Sequence, residues 1–178
     1  ITHLDDLRPA LAARPEIRLS TNEDGFHVAC YMISTPTTFS GEHSDLAREC
    51  RGITFYPNGE IASRCLHKFF NIGELPETQI SALPFGSLKR VMDKRDGSMV
   101  HPVLVNGKII LKTKKAFYSD VAILATKLLH SPECKKILAY CADAVHAKQT
   151  PIFEFTSPSA RIVLPYAQDE LKLLHIRD

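Results

Sequence analysis

Lys94-Arg95-Asp96-Gly97-Ser98 is the segment of this chain best suited to chemistry. A lysine is a nucleophile only as the neutral amine. With an ordinary pKa of about 10.4, roughly a few molecules in ten thousand are neutral at pH 7. Each unit of lowering raises that fraction about tenfold, and burial or neighbouring cations can supply several units. Gly97 would let the backbone approach a ligand without a Cβ clash. On its own, the pentapeptide reads more readily as a charged surface turn.

Other residues add to the case. Lys112 and Lys114 stand two apart in an extended stretch, so both point to one face. Two ammonium groups there repel unless an anion such as a triphosphate lies between them; an edge strand guarded by lysines is the equally good alternative. In Pro151-Ile152-Phe153-Glu154-Phe155-Thr156, the two phenylalanines share a face and send Glu154 to the other. A carboxylate there can accept hydrogen bonds from a ribose or help hold a metal ion, although a solvent-facing glutamate has the same pattern. Arg51-Gly52 precedes one strand, and Lys68-Phe69-Phe70-Asn71 follows another. Cations beside aromatic rings suit a nucleotide, with charge to phosphate and ring to base. Core packing is expected to claim one of the two phenylalanines.

These residues need elements to hold them. The chain opens on a short helix with Thr2 as N-cap, Asp5 and Asp6 in the first turn, and Leu4, Leu7 and Leu11 on one face. Strand-like runs follow at Phe26 to Ile33, Gly52 to Tyr56 and Ile61 to Ser63, the last two joined by a Pro57-Asn58-Gly59 turn. An apolar strand-like piece, Arg90-Val91-Met92, leads into Lys94. A hairpin pairs Ser98 to Val105 with Lys108 to Lys114 around Asn106-Gly107, both of which tolerate positive φ. Helices are expected from Ser119 to Leu129 and from the Ser131-Pro132-Glu133 start, burying Ile137, Leu138, Cys141 and Val145. Strands near Pro151 to Thr156 and Leu171 to Ile176 close an α+β fold of antiparallel sheets and a few helices.

Bulk properties narrow the class. With 178 residues, 44% hydrophobic and 24% charged, the chain is an ordinary globular length of sequence. A net charge of +2 decides nothing about a polyanionic partner. The five cysteines (Cys30, Cys50, Cys65, Cys134, Cys141) form no CxxC pair, and the eight histidines no HxxxH or HExxH spacing. Both facts argue against a disulfide framework or a zinc site and fit a reducing compartment. Without a signal peptide or an apolar run of membrane-spanning length, a cytoplasmic protein is expected, in the host cytoplasm if the source is a phage.

Taken in order, the motifs resemble the covalent nucleotidyltransferase superfamily and, within it, the RNA ligase 1 family typified by bacteriophage T4. The matching stretches are Glu49-Cys50-Arg51-Gly52-Ile53, Ile61-Ala62-Ser63-Arg64, Lys68-Phe69-Phe70-Asn71, Lys94 to Ser98, Phe153-Glu154-Phe155, Arg161-Ile162-Val163-Leu164 and Leu173-Leu174-His175-Ile176-Arg177. The resemblance implies an ATP-grasp-like adenylyltransferase domain over residues 1–178, cut short of the acidic strand, the Lys-x-Lys strand and the C-terminal domain that the family carries downstream.

The resemblance also implies roles. Lys94 would be the catalytic nucleophile that takes AMP. Arg51 and Lys68 would contact phosphates, Phe70 would stack on adenine, Gly97 would admit the nucleotide closely, and Lys114 would lie near the triphosphate. Lys112 would belong to the same nucleotide-binding set with a less certain task, and Glu154 would match a ribose- or metal-associated glutamate. ATP and Mg²⁺ are the implied cofactors, and RNA with 5′-phosphate and 3′-hydroxyl ends the implied partner. AMP would pass from Lys94 to the 5′-phosphate before the 3′-hydroxyl displaces it. The alternatives are a nucleotide-binding fragment that does not seal ends, and a DNA ligase or mRNA capping nucleotidyltransferase.

Overall fold

The computed structural model describes residues 1–35, 37–87 and 91–178. Two four-stranded antiparallel sheets form its frame, one ordered β1-β2-β3-β4 and the other β6-β5-β7-β8. The first sheet comprises β1 (Ile17–Thr21), β2 (His27–Tyr31), β3 (Arg51–Phe55) and β4 (Ile61–Ser63). The second comprises β5 (Ser98–Val105), β6 (Lys108–Thr113), β7 (Thr150–Thr156) and β8 (Glu170–Arg177). Helices α1 (Arg8–Ala13) and α2 (Ser44–Glu49) accompany the first sheet; α3 (Asp120–Leu129) and α4 (Lys135–His146) accompany the second.

The alternation of side chains along each strand explains the layering. Ala29, Ile53 and Phe55 point outward from the first sheet into a core with Leu7, Phe39, Ala47 and Cys50. Val100, Ile109, Leu111, Phe153 and Phe155 point outward from the second sheet onto Ala125, Leu129 and Cys141 of its helices. The residues between them face the other way, and Phe26, Val28, Val103, Val105, Ile110 and Phe117 make a third cluster joining the sheets. Each fully buried Leu or Phe contributes roughly 1.5–3 kcal/mol.

Local chemistry sets the boundaries. Asn106 (φ 49°) and Gly107 (φ 76°) turn the β5–β6 hairpin as expected. Ser119 caps α3 through the Ala122 N–H. Pro132–Cys134 form a 3₁₀ turn, so α4 begins only at Lys135. Thr126 on α3 covers the outer edge of β6, accepting the Leu111 N–H at 2.9 Å and donating to its carbonyl at 3.2 Å. Pro102 and Pro151 fall where β5 and β7 no longer pair, so their missing N–H groups interrupt no ladder between those strands.

Several expectations need correction. His3, not Thr2, caps the opening turn: its ring accepts the Asp5 N–H, while Thr2 donates to the Asp6 carboxylate. The strand-like piece before Lys94 is not a strand at Val91 and Met92, whose side chains are exposed and find no sheet partner; Arg90 lies outside the described residues. Strand β1 had no expectation at all.

Candidate functional site

Strand β7 supplies the centre. With Phe153 and Phe155 in the helix-side core, Glu154 turns to the opposite face, half-buried. The pairing of Met99 with Glu154 brings the start of β5 alongside, and the lysine-bearing segment runs directly into β5. Gly97 donates its N–H to Glu154 Oε1 at 3.0 Å. A Cβ at Gly97 would stand 2.3 Å from the Phe155 carbonyl oxygen, so the glycine's first service is to let this segment lie against β7. Burial raises the pKa of Glu154, opposed by the Gly97 N–H and by the charges of Lys94 and Arg51.

Lys94 itself is exposed. The expected burial of the amine is therefore not found, because residues 91–96 cross the surface without a strand partner. Its charge nevertheless acts on Glu154 and Asp96.

The other candidate cations lie at the start of β3, after β4 and just past β6. Arg51 opens β3, and its charge acts on Glu154, Cys30 and Cys65. Its guanidinium carbon lies 4.9 Å from the centre of the Phe69 ring. Lys114, just past β6, holds its Nζ 4.4 Å from the Tyr31 ring centre. The Lys114 carbonyl occupies the place a Cβ on Gly52 would take, at 2.2 Å, and Gly52 has φ +97°; only glycine allows β3 and the end of β6 to meet there. Lys68 donates from Nζ to the Phe69 carbonyl at 2.8 Å and sits 4.0 Å above the Phe70 ring. Phe70 packs edge-on against Phe39 and is the partly buried member of the pair; Phe69 is exposed.

Lys112 departs from expectation. It is fully buried, donates to the Thr113 carbonyl at 2.9 Å, and lies 5.3 Å from the Phe117 ring centre. Burial lowers its pKa to about 8, partly opposed by Cys65 and Cys30. Beside it in the β5–β6 pairing, His101 is also fully buried, shares a 2.9 Å hydrogen bond with Ser63 Oγ, and is held well below its ordinary pKa by burial and then by Lys112. Sealed this way, the Lys112 ammonium offers no surface to an anion. It is a buried charge, and β6, although an edge strand, does not use it as an edge guard.

Two connections had no counterpart in the sequence reading. Asp96 Oδ2 accepts the N–H groups of Val163 and Leu164, both at 2.7 Å, and these bonds hold its pKa below the ordinary carboxylate value. Glu49 Oε1 accepts from Arg177 Nη2 at 2.8 Å, tying the first matched stretch to the last. Only proximity in the fold could reveal pairs separated by so much chain. Arg161 is exposed, and its Nε donates to the Val163 carbonyl at 2.9 Å.

The arrangement suits a polyphosphate better than a resident metal. Among the described residues no three His, Cys, Asp or Glu side chains gather as ligands. Asp96 is occupied by backbone amides, which leaves Glu154 as the site's carboxylate. Mg²⁺ commonly binds through one or two carboxylates, substrate phosphates and waters, and a single Glu can serve in that mode. A separate cavity of about 480 Å³, lined by Tyr56, Arg64, Leu104, His146 and Thr150 among others, contains none of the candidate residues. No helix among the described residues is long and apolar enough to cross a membrane.

The chain is similar to known proteins. A family described as RNA ligase matches residues 49–178. A putative RNA ligase of Thermovibrio ammonificans is 40% identical over 149 residues, covering 83% of this chain and 38% of that protein. RNA ligase 1 of bacteriophage TS2126 is 26% identical over 182 residues, covering 97% of this chain and 44% of that protein. The chain thus spans less than half the length of these relatives.

Proposed function

Because the chain belongs to the T4 RNA ligase 1 family, we propose that it is the ATP-dependent adenylyltransferase part of an RNA ligase, with Lys94 as the residue that takes AMP. The observation that carries this reading is the Gly97–Glu154 hydrogen bond. It joins the lysine-bearing segment to the one strand face where Glu154 also feels the charge of Arg51. The reading extends the α+β architecture to an ATP-grasp-like nucleotidyltransferase domain over residues 1–178.

In the proposed reaction the Lys94 amine attacks the α-phosphorus of ATP, the bond to the β-phosphate oxygen breaks, and pyrophosphate leaves. AMP then passes to an RNA 5′-phosphate, and a 3′-hydroxyl displaces AMP to form the phosphodiester. Arg51, Lys68 and Lys114 offset the charge on the phosphates, where fixed cations stabilise a developing anion. Phe70 offers its ring to adenine at the place Lys68 now covers. Gly97 keeps the segment close to β7 and the nucleotide. Glu154 accepts from the ribose or from the water shell of Mg²⁺, and the ion when bound supplies further neutralisation of phosphate charge. Lys94 is exposed, so in this reading its amine meets the nucleotide from the surface. Lys112, being buried, does not touch the nucleotide in this reading.

Incubation with ATP and Mg²⁺ followed by intact-mass measurement tests the first step. A gain of one AMP, absent with GTP, supports the reading; its absence contradicts it. The alternative is a span that takes up AMP without sealing ends. A 5′-phosphorylated RNA separates the two: sealed product supports the ligase, and adenylated 5′ ends without sealed product support the second.

A further inference from the structure

Residues 91–96 have no strand partner, yet an in-line attack requires the Lys94 amine to be placed closely. A misplacement of about 1 Å can cost a rate factor on the order of a hundred. The bonds that hold the stretch lie just after the lysine. Gly97 is tied to Glu154, and the Asp96 carboxylate takes the amides of Val163 and Leu164. The backbone N–H of Asp96 donates to the hydroxyl oxygen of Tyr166 at 3.0 Å. Tyr166 is half-buried in the loop before β8, with the Arg95 guanidinium 5.9 Å from its ring centre. Arg95 in turn pairs with Glu170 at 3.2 Å, where β8 begins.

We propose that Tyr166 is a positioning residue for Lys94: together with Asp96 it clasps the lysine-bearing segment to the loop at 161–166. The proposal rests on Lys94 being the nucleophile. A strand would take the Asp96 N–H with a backbone carbonyl; here a phenol oxygen replaces it. While the hydroxyl is present the Asp96 N–H has a fixed acceptor; without it the segment can lift from the loop and the amide turn to water, at little cost in stability. The exposed side chains of Ile162, Val163 and Leu164 make little packing of their own to fix the loop. The clasp therefore fixes both partners, and the geometry gives the tyrosine hydroxyl a task that packing does not perform.

The test is single-turnover adenylylation of the 178-residue chain and its Tyr166→Phe variant, with melting temperature and half-saturating ATP measured on the same samples. Phe keeps the ring under Arg95 and removes only the acceptor. The expected result is a roughly tenfold slower step at saturating ATP, with half-saturation and melting temperature unchanged. Combined with Asp96→Ala, the loss should be smaller than the product of the two single losses, since both act through one clasp. A wild-type rate for Tyr166→Phe overturns the proposal alone, as does a slower step accompanied by lost stability or weaker ATP binding. Independent, multiplicative losses overturn it as well. If the unaltered chain takes no AMP, the nucleophile reading fails first and this inference falls with it.

Discussion

Gly97 and Glu154, 57 positions apart in the chain, are joined by a hydrogen bond, the N–H of one donating to Oε1 of the other at 3.0 Å. The bond matters because Glu154 is half-buried, with a pKa already raised by that burial. Glu154→Gln retains an oxygen acceptor for the amide but loses the charge. It should melt like the unaltered chain and adenylylate at least tenfold more slowly. Glu154→Leu removes the acceptor too and should lose about 1–3 kcal/mol of stability, the cost of stranding a buried donor. Thermal unfolding and AMP uptake on the same three proteins check both statements.

Glycine substitutions should separate close approach from simple flexibility. Gly97→Ala places a Cβ 2.3 Å from the Phe155 carbonyl oxygen, and Gly52→Ala places one 2.2 Å from that of Lys114 with φ at +97°. Each should destabilise the fold by about 1–3 kcal/mol, since backbone must move to admit the methyl group. Gly86→Ala, with nothing within 4 Å and no positive φ, should be neutral. Chemical denaturation reads all three.

The buried ammonium gives a pH signature. Lys112 has a pKa of about 8 in the folded chain against an ordinary 10.5. Between those values the unfolded chain binds more protons than the folded one, so this residue's penalty is full below pH 8 and fades as the pH rises toward 10.5. A gap of that size is worth roughly 3 kcal/mol. The stability difference between the unaltered chain and Lys112→Met should therefore shift in favour of the unaltered chain from pH 7.5 to about 10. A flat difference across that range would mean that Lys112 is not sealed in the folded state.

Much of this architecture was legible where side chains alternate. The β5–β6 hairpin, the turn of Glu154 away from the face of Phe153 and Phe155, and the Ser119 start of α3 follow from period and turn chemistry that the fold does not override. Strand β1 was not legible, since it is an edge strand with one buried residue followed by four exposed ones, and no alternation marks it. Lys112 was read as solvent- or ligand-facing because a charged side chain seldom lies fully buried. Its burial depends on which sheet face meets the other sheet, a tertiary fact. The packing of Phe70 rather than Phe69 against Phe39 is of the same kind: neighbouring rings are equivalent in the sequence until a partner is present. The hold of Asp96 on Val163, Leu164 and Tyr166 spans about seventy residues and has no local pattern.

The central claim concerns one amine. Peptide mapping of the chain after incubation with ATP and Mg²⁺ should find AMP on Lys94, and Lys94→Ala should take up none while keeping its stability within about 0.5 kcal/mol, as expected for an exposed side chain. AMP found on another residue, or retained in full by Lys94→Ala, would contradict the account.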